Sequence, residues 1–334
     1  MYRPDRELLR LLPKVLRARD YHLYLENGKR LTDLWLQGGR AVLGHKPPRV
    51  LGELKNAAER GLFTPLPHPL EKRFLKAMRG FFPGRAFRLY MDDASLYRAL
   101  SEAGFAGTSP CDAAPFSDPA FPPGSYAEMG SNAGTNGIAE AENDTRAERT
   151  AGTDSATGKA SVSLWRPFVE SLNVESPGGN EQNAQILIPV LPWPLGPAVL
   201  VLDESLDSSF PESELIPPVL LAPAARALYD LAAAMKAHGA DRQRYYKIEK
   251  VLGEKKSSET KSKESYWRRR GIYLTTNVGK EKYEALFKHF LEGGFLLPPS
   301  ANEPLILPSS MSKGEETKLA ELLGFFLDGN ILED

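Results

Sequence analysis

The sequence predicts an α/β protein, and three observations carry that expectation. First, Asn27-Gly28 joins two runs, Tyr21–Glu26 and Lys29–Trp35, that alternate apolar and polar residues, the strongest short-range signal for a β-hairpin. Second, Gln185-Ile-Leu-Ile-Pro-Val190 and Ala198-Val-Leu-Val-Leu202 are continuously apolar, as strands covered by helices on both faces are. Third, apolar residues at helical spacing recur between and after these strands.

In chain order, residues 4–20 read as a short helix leading to the hairpin. Pro48 suits a first helical turn, after which Val50, Leu51, Leu54, Ala57, Ala58 and Leu62 share a face. Leu70, Phe74, Met78 and Phe81 mark a second amphipathic helix, ended by Pro83-Gly84. Ala86–Met91 alternates as a strand, and Asp92-Asp93 precede a helix over about 94–103. From Ala106 to Ala160 there is no leucine, valine or tryptophan, which predicts a disordered insertion that cannot bury enough apolar surface to offset its ordering entropy. Order is expected again at Ser161–Phe168. Pro223 is expected to open a helix carrying Leu228, Leu231 and Met235. Gly253–Arg270 reads as a charged loop. Beyond it come a strand at Gly271–Thr275, a helix lined by Tyr283, Leu286, Phe287, Phe290 and Leu291, and a strand at Leu305–Leu307. Ser312-Lys-Gly-Glu315 is a capping box for a last helix with Leu319, Leu322, Leu323 and Phe326 on one face.

The totals bound the function. The chain has 334 residues, 42% of them hydrophobic, enough for one large or two modest domains. Forty-two basic residues against forty-three acidic ones leave a charge of −1, with no global pull toward nucleic acid or anionic lipid. The one cysteine, Cys111, excludes an internal disulfide and a cysteine-rich metal site. No stretch is long and apolar enough to span a bilayer and the first residues lack a signal-peptide core, so a cytoplasmic protein with no membrane partner is expected.

Two blocks then add up. Asn27-Gly-Lys-Arg-Leu-Thr-Asp-Leu-Trp35 with Leu43-Gly-His45, and Gly293-Gly-Phe-Leu-Leu-Pro-Pro-Ser300 with Asn302-Glu303 and the capped last helix, stand in the order seen at the two ends of class III aminotransferases dependent on pyridoxal phosphate (PLP). Residues 22–62 and 271–324, about a third of the chain, resemble that family, nearest the glutamate-1-semialdehyde aminomutase type. The resemblance implies a reduced PLP-transferase-like architecture of fold type I. It places residues 1–84 and 271–334 in a small domain formed by both termini, 85–105 and 161–252 in a reduced large-domain remnant, 106–160 in the insertion and 253–270 in the charged loop. It also implies a homodimer.

The middle of the chain departs from the family. Where a hydroxyl-bearing turn would hold the cofactor phosphate on helix-end amides, this sequence has Met91-Asp-Asp-Ala-Ser95. Asp92 or Asp93 would cap the helix and put a carboxylate where the anion belongs. The aldimine lysine has few candidates, since only Lys159 and Lys236 lie between Arg85 and Ala240, and Lys236 suits a solvated helix end. Asp203, ending a buried strand, has the form of the acid that pairs with the pyridine nitrogen, or of an ordinary strand-end residue.

The expectation is therefore a catalytically silent relative of the aminotransferases, a pseudoenzyme with a binding, regulatory or scaffolding role and no bound cofactor. The alternative is an active PLP-dependent aminotransferase or aminomutase on an amino or keto acid, with Lys236 as the Schiff-base lysine and Asp203 at the ring nitrogen. A second alternative is a nucleic-acid-binding module using Trp267-Arg-Arg-Arg270 and the neighbouring lysines 255, 256, 261 and 263. The five histidines show no metal-ligand spacing, and His45 reads as a packed or turn residue.

Overall fold

The structure, a computed structural model, describes residues 6–105, 162–169, 185–238, 244–254 and 267–327. The expected insertion, with Cys111 and Lys159, and lysines 255, 256, 261 and 263 lie outside the described residues.

The Asn27-Gly28 hairpin forms as the spacing predicts. Strands β1 (Val15–Arg19), β2 (His22–Leu25) and β3 (Arg30–Asp33) are antiparallel neighbours, and Gly28 supplies the turn with φ +77°. Helix α1 (Arg6–Arg10) precedes them. The sheet is completed from the other end of the chain: β10 (Phe295–Leu296) runs parallel to β3, pairing Phe295 with Thr32 and Leu296 with Asp33. Helix α7 (Lys280–Glu292) leads into β10 and buries Tyr283, Leu286, Phe287 and Phe290 in the same core cluster as Leu23, Leu25 and Leu31. A three-stranded sheet adjoins, in the order β11 (Leu305–Ile306), β9 (Tyr273–Thr276), β8 (Trp267–Arg270). The two chain ends share one core.

The last helix, α8 (Lys313–Leu327), starts at the capping box, where Ser312 N–H donates to Glu315 Oε2 (2.9 Å) and Glu315 N–H to Ser312 Oγ (3.2 Å). Glu315 Oε1 also accepts from Thr32 Oγ1 (3.1 Å) and lies 2.7 Å from His22 Nε2, which ties the helix to the hairpin.

The second sheet has the order β4 (Ala86–Tyr90), β7 (Ala198–Leu202), β6 (Ile186–Pro189), β5 (Val162–Trp165). It is antiparallel except for the parallel pair of β5 and β6. Every residue of β7 is buried, which explains its unbroken apolar run. Val199 and Val201 face α2 (Pro48–Glu59), α3 (Pro69–Arg79) and α5 (Pro218–His238). Ala198, Leu200 and Leu202 face α4 (Asp93–Glu102).

The structure departs from the sequence expectations in four places. Helix α5 opens at Pro218, not Pro223, because Val219, Leu221 and Ala222 all bury apolar surface. Pro223 sits inside and forfeits one helical hydrogen bond. Helices α2 and α3, expected with the terminal unit, pack on α5 and the second sheet, since Val50, Phe74 and Met78 turn that way. Helix α6 (Tyr246–Glu254), expected with the large-domain remnant, packs on the terminal core through Ile248, and Tyr245 Oη donates to Leu307 O (2.9 Å). Residues 267–270 are a strand rather than loop, because Trp267 is 2% exposed and packs against Phe290. Leu231 and Met235 of α5 reach the terminal core while its first turns serve the second sheet, so this helix spans both.

Candidate functional site

The strand-to-helix turn after β4 is where the family resemblance implies a cofactor phosphate, and the amides of Met91 and Ser95 there are already engaged by carboxylates. Met91 N–H donates to Glu214 Oε2 (2.7 Å). Glu214 is carried there by an extended segment alongside β4, with Glu214 N–H donating to Leu89 O (2.8 Å) and Leu89 N–H to Ser213 Oγ (3.1 Å). Asp92 is the N-cap of α4, in extended backbone, and accepts from Ser95 N–H at 2.8 Å. Asp93 turns instead toward Arg40, whose Nη2 donates to Oδ1 and Oδ2 at 2.8 and 2.9 Å. Burial pushes the Tyr97 phenol up from its ordinary pKa, and the Asp93 carboxylate adds to the shift while Arg40 opposes it.

Arg40 arrives on a tightly held loop. Asp33 ends β3, and its Oδ1 accepts from the amides of Trp35 (2.8 Å) and Leu36 (3.0 Å). Its Oδ2 lies 2.9 Å from His45 Nε2 in a pair whose side chains are 2% and 6% exposed. The chain then passes through four left-handed residues, Leu36, Gln37, Gly38 and Gly39, the last at φ +104°. A Cβ on Gly39 would stand 3.2 Å from Val190 Cγ1. From the other side Arg166, just past β5, donates from Nη1 to Gly38 O (3.0 Å) with its guanidinium 5.7 Å from the Tyr273 ring.

The register of the second sheet locates the remaining candidates. Tyr90 pairs with Ala198, so the connection from β6 to β7, Val190-Leu-Pro-Trp-Pro-Leu-Gly-Pro197, flanks the same sheet end as the α4 turn, and it contains no lysine. Ala86 pairs with Leu202, which puts Asp203 at the opposite end, four residue steps or about 14 Å along the strands. Asp203 there caps a short helical turn, accepting from Ser205 Oγ (2.8 Å) and Ser205 N–H (3.1 Å), and these bonds lower its pKa. Lys236 lies exposed in the last turn of α5. Asp92 and Asp93 thus come together with Arg40 and Glu214, while Asp203 is remote from them.

The histidines serve separate local roles. His22 meets Glu315, His45 meets Asp33, and His68 Nδ1 caps α3 by accepting from Leu70 N–H (3.1 Å). His238 lies edge-on to Phe168, and His289 stacks on Phe325. Among the described residues no three acidic, histidine or cysteine side chains are grouped to hold a metal ion, and no helix is long and apolar enough to cross a membrane. Burial of Trp267 removes it as a base-stacking platform, and Arg269 is engaged by Glu249 and Gly271 O.

Sequence reasoning missed Arg40, Glu214, Asp33 and Arg166. Asp33 had a signal, an acid placed to accept the amides two and three residues on. Glu214 had none, because it meets Met91 only through a segment running beside an edge strand.

No family model matches the chain. It is 28% identical over 317 residues to an uncharacterised protein of Treponema pallidum (strain Nichols), covering 91% of each. It is 31% identical over 71 residues to the glutamate-1-semialdehyde 2,1-aminomutase of Thermus thermophilus, a match spanning 21% of this chain and 17% of the aminomutase. The structure of ornithine aminotransferase from Toxoplasma gondii, described as having PLP at partial occupancy in its active site, superposes with a TM-score of 0.61 at 16% identity, over 98% of this chain and 94% of that one. The chain therefore has the aminotransferase fold.

Proposed function

We propose that this protein is a catalytically silent member of the aminotransferase fold, acting as a binding, regulatory or scaffolding partner without PLP. One observation carries the reading. The turn that would receive the cofactor phosphate is filled by the protein's own acids, with Glu214 on the Met91 amide, Asp92 on the Ser95 amide and Asp93 beside them. A carboxylate about 4 Å from a phosphate charge opposes it by about 4 kcal/mol at an effective dielectric near 20. Among the described residues Arg40 brings a guanidinium to the turn, and its Nη2 is committed to Asp93. The residues at the turn do not fit an anionic cofactor tail. The exposed position of Lys236 and the remoteness of Asp203 support the same reading, as does the lysine-free connection at the sheet end. By the resemblance we further propose a homodimer, which sedimentation would test.

The reading is tested by incubating the full chain with PLP. The expected result is no saturable visible-range band at equimolar cofactor and no single lysine labelled stoichiometrically after borohydride. A band that borohydride fixes, and that Lys236→Ala abolishes, would overturn this reading in favour of the PLP-dependent alternative.

A further inference from the structure

We infer that the Arg40–Asp93 ion pair is a built-in substitute for an anionic ligand. Asp93 supplies the negative charge that the start of α4 favours, and Arg40 turns that charge into a joint between the terminal unit and the second sheet. The inference rests on the proposed reading that this turn is filled by the protein's own acids.

Three features support it. Asp93 is the first residue of α4, and both its oxygens face a single Arg40 nitrogen at 2.8 and 2.9 Å. Negative charge is favoured in a first helical turn, where the amides have no helical partners. The two side chains are 31% and 28% exposed, so salt screens them less than a surface pair. Finally, the loop behind Arg40 is held from both sides, by Asp33 on the Trp35 and Leu36 amides and by Arg166 on Gly38 O. A guanidinium delivered from so constrained a backbone loses little freedom when it docks. This joint between the two units then needs no ligand to form.

The test is chemical rescue in the full chain. The double variant D92S/D93S keeps a hydroxyl cap at the start of α4 but removes both acids, leaving Arg40 and the positive end of the helix to meet an external anion. Thermal unfolding is followed in chloride and in inorganic phosphate at equal ionic strength. Phosphate stabilises folded proteins generally, so the wild-type difference between the two salts is the baseline subtracted from every variant. D92S/D93S should unfold earlier in chloride and regain half or more of the loss in phosphate, and R40Q added to it should abolish the recovery. A folded double variant that phosphate stabilises no more than it does wild type overturns the inference, as does recovery that survives R40Q. Should the double variant not fold, R40Q and D93N decide the matter. Loss in the combined variant no greater than in the worse single one supports a shared joint, and additive losses refute it. A lysine-bound PLP in the wild type would defeat the silent reading, whereas failed phosphate rescue would leave that reading standing and defeat only the joint.

Discussion

Removing the His45 ring tests the claim that the buried Asp33–His45 pair organises the loop carrying Arg40. Asp33 is almost fully enclosed and has three partners, the amides of Trp35 and Leu36 and His45 Nε2. His45→Ala leaves its Oδ2 facing the interior without the imidazole. Removing a partner of a buried carboxylate leaves its charge undercompensated at a cost of about 3–5 kcal/mol, and the two surviving amide bonds argue for the lower end, about 3 kcal/mol. The assay is native-state hydrogen exchange at the Trp35 and Leu36 amides, which report opening of this turn directly. A loss of about 3 kcal/mol corresponds to exchange faster by about two orders of magnitude. His45→Gln, which retains a donor of similar reach, should recover most of the protection. Exchange accelerated less than about fivefold in His45→Ala would mean that the pair does not hold the turn.

Other outcomes follow from residues elsewhere in the molecule. Burial works to raise the Glu315 carboxyl, but hydrogen bonds from the Ser312 amide and from His22 prevail and bring it down to about 2 from 4.5. A depressed acid contributes stability that is complete above pH 4.5 and is lost as pH falls toward 2, so an acid titration of unfolding should lose about 1 kcal/mol across that window, and Glu315→Gln should flatten it. Trp267→Ala should cost about 3–5 kcal/mol in chemical denaturation, as expected of a core aromatic, whereas a value under 1 kcal/mol would contradict its burial. Gly39→Ala puts a side chain at φ +104° and 3.2 Å from Val190, and should lower the unfolding midpoint by the equivalent of about 1–3 kcal/mol. Asp203→Ala should lose only a solvent-facing cap, lowering the unfolding midpoint slightly with no effect on the response to PLP.

Much of the fold was legible because it is written in local codes. Asn27-Gly28 specifies its turn, Ser312 and Glu315 cap each other within one helical turn, and the apolar run at 198–202 is buried as its composition demands. The acidic turn was legible for the same reason, since Asp92 caps α4 by accepting from an amide only three residues further on. What escaped depended on long-range register. Asp203 ends a buried strand as a ring-pairing acid would, but β7 runs antiparallel to β4 and carries it to the other end of the sheet. Arg40 and Asp93 are drawn together from separate elements, and Glu214 by a segment that no periodicity marks. Trp267-Arg-Arg-Arg270 looked solvated because a short strand with three successive arginines has the composition of a loop.

The parallel pairing of Phe295 with Thr32 has a consequence for biosynthesis. The partners stand roughly 260 residues apart, so the hairpin emerges from the ribosome long before the strand that completes its sheet exists. Closing so large a loop makes this a late folding event, dominated by non-local contacts. Chains truncated ahead of Gly293 would keep the hairpin but lose Phe295 and the last helix from the core, leaving Leu23, Leu25 and Leu31 without much of their cover. Such fragments would be ready targets for chaperones and proteases.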